Sequence, residues 1–178
     1  MSAVEDRHLA PDGVRPADPD DAAVWDAAAQ VTDPEIPVLT IADLGILRAA
    51  AATDSGGVVV ITPTYSGCPA METITADLRA ALQRAGYPSA QVQTVLKPAW
   101  TTDWMSDDGR AKLREYGITP PSGTAPVRDA PVQVAMSVKC PNCDSLDTRE
   151  LSRFGSTACK ALYQCRGCLE PFDYFKVL

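Results

Sequence analysis

Cys140-Pro141-Asn142-Cys143 and Cys165-Arg166-Gly167-Cys168, separated by residues 144–164, form two C-x2-C turns. A C-x2-C turn aims both sulfurs at one point, and two such turns close a tetrahedral thiolate site of the kind zinc prefers. This spacing predicts a C-terminal zinc ribbon over residues 134–178. Four thiolates fill every position and leave none for water, so the expected ion is structural, one per chain. A module this small lacks the apolar mass to fold alone, and metal binding would fold it. The cage would carry excess negative charge, which Lys139, Arg166 and backbone N–H groups are expected to offset in part. Two alternatives stay open on spacing alone: a pair of disulfides, and iron in the same four-sulfur cage, which would make a rubredoxin-like electron carrier. Cys159 is a further cysteine in the module, read as a spare buried thiol or a substitute ligand. Phe172, Tyr174 and Phe175 are expected to supply the ribbon's small core.

The chain has 178 residues, enough for one domain plus a small module. Apolar residues make up 46%, so a real core is possible, but aromatics are only 6%, so that core is built from small side chains. No apolar run approaches the roughly 18 residues of a membrane span. The opening Met1-Ser2-Ala3-Val4-Glu5-Asp6 lacks a basic region followed by an apolar stretch, so the expected location is the cytoplasm. In that reducing compartment paired C-x2-C turns favour metal over disulfide. The net charge of -7 is uneven. Residues 1–33 carry eight acids against Arg7 and Arg15, whereas residues 134–178 carry five acids against six bases. Neither part is basic enough for a nucleic-acid footprint.

Residues 1–17 read as a mobile tail. Asp18-Pro19-Asp20-Asp21 then starts a helix, with Asp18 as cap, Pro19 at the first position and acids at the positive end of the dipole. It runs through Val24, Trp25, Ala28 and Val31 and must stop before Pro34. Ile46 to Ala52 and Val58 to Ile61 flank the turn Asp54-Ser55-Gly56-Gly57 and predict a hairpin. Ser66-Gly67-Cys68-Pro69 opens a second helix, whose stripe is Met71, Ile74, Leu78, Leu82 and Ala85 and whose stop is Gly86. Val92 to Leu96 predicts a third strand. Ser106 caps a third helix ending near Gly117, after an apolar cluster of Trp100, Trp104 and Met105. Prolines 120, 121, 126 and 131 mark a linker over 118–133. The expected architecture is α/β (α+β): a small mixed sheet with two to three helices over 18–117, then the ribbon.

Cys68, between Gly67 and Pro69 at the start of the second helix, has two readings. Unpaired N–H groups and the helix dipole there would lower a thiol pKa, which suits a nucleophile or a transient metal or cluster ligand. The alternative is a small buried residue at a tight turn. His8, the lone histidine, lies in the tail, so a Cys–His hydrolase is not expected. Asp33, Glu35 and Asp43 either bring carboxylates near Cys68 or serve turns and caps. P-loop, GxGxxG, HExxH and GxSxG motifs are absent, and no catalytic residue is assigned.

Asp33-Pro34-Glu35-Ile36-Pro37-Val38, Ile41-Ala42-Asp43-Leu44-Gly45-Ile46 and Thr62-Pro63-Thr64-Tyr65-Ser66-Gly67-Cys68-Pro69 resemble the small α/β domain of the iron–sulfur assembly family that includes SufT. With the segment Trp100 to Gly117 and the ribbon, residues 20–178 resemble the PaaD family. Its members are accessory proteins of the bacterial phenylacetyl-CoA epoxidase (ring-1,2-epoxidase) system. The resemblance implies a βα domain that helps mature iron–sulfur or di-iron centres, joined to a zinc ribbon. Implied partners are the epoxidase oxygenase and reductase subunits, with a homodimer left open and neither nucleic acid nor membrane expected. Cys68 matches the family's motif cysteine, and transient Fe or Fe–S is implied there. Asp33, Glu35 and Asp43 match motif positions without assigned roles. The alternative within this resemblance is a non-catalytic module that stabilises the multi-subunit complex.

Overall fold

The computed structural model describes residues 12–54, 56–65, 67–122 and 138–177. Most of the N-terminal tail and of the linker, together with His8 and Ser66, lies outside the described residues. The chain divides between Trp100 and Thr101 into two units.

In the first unit, helix α1 spans Pro19–Ala28. Asp18 caps it as its composition predicts, the carboxylate accepting from the N–H groups of Asp20 and Asp21. Strands β1 (Leu47–Thr53) and β2 (Gly56–Ile61) form the antiparallel hairpin. Helix α2 (Ala70–Arg84) then crosses over, so β3 (Gln91–Thr94) returns parallel to β2 and the sheet order is β1-β2-β3. Gly86, at φ +95°, ends α2 in a conformation that other residues adopt only under strain. Ile74, Leu78 and Leu82 on α2 are fully buried, as are Ile36, Leu39, Ile41 and Ile61. Against about 25 cal/mol per Å² of apolar area, this stripe is what stabilises a helix whose propensities alone are modest. Trp100 is buried, and its indole Nε1 donates to the carbonyl of Leu44 at 2.9 Å, fastening the loop that precedes β1.

The second unit begins with a 3-10 turn, Thr102–Trp104. Helix α3 (Asp107–Glu115) follows, with the Ser106 hydroxyl accepting from Gly109 N–H as predicted. Its sheet order is β4-β7-β6-β5, from β4 (Ile118–Thr119), β5 (Thr148–Ser152), β6 (Lys160–Cys165) and β7 (Pro171–Phe175). The sequence places residues 101–117 with the first domain, but the division falls earlier. The reason is β4: it pairs in parallel with β7, Ile118 opposite Asp173 and Thr119 opposite Tyr174, and so ties α3 to the ribbon. The same division separates Trp100 from Trp104 and Met105. The ribbon core gathers Val138, Cys140, Cys165 and Phe172, with Tyr163 and Tyr174 packed edge-on at 5.5 Å. Phe175 is also buried, so the three aromatics after the last knuckle are core. Among the described residues no helix is long and apolar enough to cross a membrane.

Candidate metal centre

Each C-x2-C turn is built by the same local hydrogen bonds. Cys140 N–H donates to Ser145 O at 2.9 Å, and Cys165 N–H donates to Glu170 O at 3.0 Å. In both turns the residue after the second cysteine is left-handed, Asp144 at φ 61° and Leu169 at φ 66°. The two turns are therefore structural copies. They are joined where Arg166 N–H donates to Asp147 O at 2.8 Å and Thr148 pairs with Cys165.

This brings the Sγ atoms of Cys140, Cys143, Cys165 and Cys168 within 4.8 Å of one another. Cys140 and Cys168 are 3.7 Å apart, Cys143 and Cys165 3.5 Å. A zinc–sulfur bond of about 2.3 Å implies tetrahedron edges of about 3.8 Å, so the cage fits zinc. A disulfide would need about 2.05 Å. Cys140 and Cys165 are fully buried, while Cys143 faces solvent. Backbone N–H of Gly167 and Cys168 point at Cys165 Sγ at 3.3 and 3.4 Å. Those donors, that of Cys168 first, pull the Cys165 thiol down to about 6, and the neighbouring Cys143 thiol assists. The neighbouring thiols move the other way, Cys143 up to about 12 and Cys168 also up, so the cage shares protons among its sulfurs and a metal that takes all four must displace them. The expected charge compensation takes a different form. Lys139 is paired with Asp144 at 2.8 Å and Arg166 with Asp147 at 3.6 Å, so both cations already face carboxylates. The exposed rim of the cage is charge-balanced within itself, leaving the sulfurs to backbone N–H donors. Cys159 is buried beside the Thr157 hydroxyl at 3.0 Å and is not part of the four-sulfur cluster.

Cys68 lies in the first unit, half-buried in the loop between β2 and α2. Its N–H donates to Tyr65 O and its carbonyl accepts from Met71 N–H. The thiol pKa is raised, opposite to the expectation from the helix start. Burial is the largest cause. Ala70 N–H and the Thr64 hydroxyl lower it, but the carboxylates of Glu35 and Asp33 add to the rise. Pro69 takes the cap position with no side-chain hydrogen bond. Asp33 and Glu35 therefore stand close enough to Cys68 to act on its charge. Asp33 also shapes its own turn, accepting from Glu35 and Ile36 N–H, each at 2.8 Å. Asp43 closes a reciprocal turn with Thr40, accepting from its N–H at 2.9 Å and its hydroxyl at 3.0 Å. Thr64 is the residue that sequence reasoning passed over. Its position four residues before Cys68 in the same loop was the available signal.

The sequence matches the family of iron–sulfur cluster assembly proteins over residues 21–96 and the PaaD zinc β-ribbon domain over residues 124–176. A relative from Escherichia coli (strain K12), named as the D component of a putative 1,2-phenylacetyl-CoA epoxidase, is 51% identical over 155 residues, covering 87% of this chain and 92% of its own length. An "Fe-S protein maturation auxiliary factor" from Porphyromonas gingivalis (strain ATCC BAA-308 / W83) is 32% identical over 85 residues, 47% of this chain and 80% of its own. A solved DUF59 domain from Bacillus anthracis overlays with a TM-score of 0.49 at 25% identity, covering 52% of this chain and 90% of that one. An assembly-type α/β domain and a four-cysteine ribbon in one chain, at half identity over nearly the whole length of the Escherichia coli relative, place this protein in the PaaD family, the D components of phenylacetyl-CoA epoxidases.

Proposed function

We propose that this protein is a non-catalytic accessory subunit of a multi-subunit phenylacetyl-CoA epoxidase that assists assembly of an iron–sulfur or di-iron centre on a partner subunit. The observation that carries this reading is the union, in one chain half identical to an epoxidase D component, of an iron–sulfur-assembly domain and a closed four-sulfur ribbon. In this reading Cys140, Cys143, Cys165 and Cys168 hold one structural zinc, which cross-links the two turns and leaves no open position. The ribbon presents a folded surface to the oxygenase or reductase subunits. Cys68 contacts the iron or cluster briefly. Its raised pKa then means that the incoming metal must displace a proton, a step the Ala70 N–H and Thr64 hydroxyl favour. Asp33 and Glu35 sit within electrostatic reach of that cation, and Asp43 holds their loop. The setting is a cytoplasmic one.

The test is to co-express the epoxidase subunits with the wild type or with Cys68→Ser. Reduced cluster occupancy in the partners with the variant is the expected result, and full occupancy with full activity sinks the proposal. A second reading is favoured by one observation, the burial that pushes the Cys68 thiol pKa up from its ordinary value and so disfavours the metal-binding thiolate. It makes this protein a stabiliser of the complex and Cys68 a packed turn residue. Stoichiometric co-purification, with partner metal content unchanged when the protein is omitted, would select it. Iron in the cage, the electron-carrier reading, is separated from both by visible absorption of the purified protein.

A further inference from the structure

The four sulfurs of the cage are not equally protected. Cys140 and Cys165 are fully buried and Cys168 is half-buried, whereas Cys143 is exposed, and so are Asn142 and Asp144 on either side of it. A small oxidant arriving from solvent therefore meets Cys143 first. Cys165 Sγ stands 3.5 Å from Cys143 Sγ, across the two turns. The N–H groups of Gly167 and Cys168 hold Cys165 Sγ in place at 3.3 and 3.4 Å. A disulfide needs about 2.05 Å, which leaves about 1.5 Å to close. Cys143, the exposed member of the pair, can close it by turning its own side chain while Cys165 stays where its donors hold it.

An accessible thiolate with a second thiol poised to resolve it is the arrangement that reversible cysteine oxidation requires. Sulfur bound to zinc is held as thiolate, the nucleophilic form. Cys159, the fifth cysteine of the ribbon, is not placed to resolve Cys143. It is buried beside the Thr157 hydroxyl, and β6 separates it from Cys165, about 17 Å from Lys160 to Cys165 at the rise of a strand.

The geometry points to Cys143 as an oxidation site, at which a hydroperoxide opens the cage and Cys165 closes on the oxidised sulfur. In the first step the Cys143 thiolate attacks the peroxide. An S–O bond forms, the O–O bond breaks and hydroxide or alkoxide leaves, giving a sulfenic acid. In the second step the Cys165 thiolate attacks that sulfur, an S–S bond forms and hydroxide leaves. The two sulfurs together lose two electrons, and the peroxide takes both. Cys140 and Cys168 then remain, two ligands where zinc needs four, so the ion is released. Because metal binding folds the ribbon, its release unfolds it, and a dithiol with fresh zinc reverses the change. The inference uses the cage alone and stands apart from the accessory reading.

The experiment treats the full-length, zinc-loaded protein with hydrogen peroxide and follows zinc release to a coloured chelator. A diketone that traps sulfenic acids should label Cys143 before any other cysteine. Trypsin separates the ligands, with Cys140 and Cys143 in residues 140–149, Cys165 in 161–166 and Cys168 in 167–176. The expected disulfide joins 140–149 to 161–166, and fragmentation of the joined peptides places it on Cys143. A dithiol plus zinc should return the metal to the protein. Cys143→His keeps a nitrogen ligand at the fourth position and removes the exposed sulfur, so it should slow release by about tenfold or more. Cys159→Ser should leave the rate unchanged. First labelling of another cysteine, a disulfide within one turn, release that a dithiol does not reverse, or unchanged release from Cys143→His overturns the inference. If the histidine variant does not hold zinc, the trapping and the disulfide map of the wild type decide by themselves.

Discussion

Replacing Asp173 by alanine is expected to destabilise the ribbon unit by about 3 kcal/mol, whereas replacing its partner Lys160 by methionine should change stability by less than about 1 kcal/mol. Lys160 opens β6 and its side chain is only 6% exposed, with Nζ 3.7 Å from Asp173 Oδ2 on β7. The neighbourhood is closed. Gly155 N–H donates to Lys160 O, the Ser156 hydroxyl lies 3.3 Å from Asp173 Oδ2, and a Cβ on Gly155 would stand 2.7 Å from Asp173 Oδ1. At that separation and an effective dielectric of 20 the attraction is about 4.5 kcal/mol before desolvation is subtracted. Removing the carboxylate leaves a buried ammonium without its counter-ion, a change that costs about 3–5 kcal/mol. The Asp173 side chain is 23% exposed, so water partly substitutes and the lower end applies. Removing the ammonium instead leaves a carboxylate that water and Ser156 can reach, and methionine refills the aliphatic stem's space. The assay is denaturant unfolding of the metal-loaded protein, read by metal release to a coloured chelator, for both single variants and the double. The double variant should recover most of the loss caused by Asp173→Ala. Equal losses in both single variants, or a loss below about 0.5 kcal/mol for Asp173→Ala, would refute the argument.

Three further outcomes are expected. Cys165→Ser should abolish stoichiometric zinc, and Cys159→Ser should retain it, as metal analysis after dialysis will show; metal loss in the Cys159 variant would contradict the cage assignment. Cys68 should alkylate more slowly near pH 7 than in the unfolded chain, because burial raises its pKa above the ordinary thiol value of 9.0. Its reaction rate should still be rising with pH at 9.0, where the unfolded thiol's levels off; by linkage, stability from the protonated thiol is fully present below that value and lost as pH rises through the higher folded pKa, so a faster folded-state rate at pH 7 contradicts the structure. Leu169→Gly should stabilise the ribbon by roughly 0.5–1 kcal/mol, since a left-handed leucine costs roughly 1–2 kcal/mol and glycine returns only part of that as unfolded-state entropy. A melting temperature below wild type would show that the 69%-exposed leucine packs against something in solution.

Local signals were read correctly where the chemistry is local. Asp18 caps α1, Ser106 caps α3, and Gly86 ends α2 because capping depends on residues within one helical turn. The β1–β2 hairpin was legible from a β-branched run beside a glycine turn. Strand β4 was not, because two residues before a proline carry no periodicity, and its existence depends on pairing with β7, more than fifty residues on. Cys68 was legible as a position, with an activated and a buried thiol both open, and the direction of its pKa shift was not legible. Its neighbours along the chain favour a thiolate, but the burial and the Asp33 and Glu35 carboxylates come from elsewhere in the fold.

The sequence by itself determined the four-sulfur donor set, because C-x2-C spacing is a covalent constraint that survives any tertiary arrangement. It also determined the caps, turns and apolar stripes, whose physics spans a few residues. Only the tertiary structure decided the place of Cys159, which spacing left as a spare thiol or a substitute ligand and which the fold buries beside Thr157, outside the four-sulfur cluster. It alone assigned α3 to the ribbon and set the protonation of Cys68, because pairing across a sheet, desolvation and charge act through space and not along the chain.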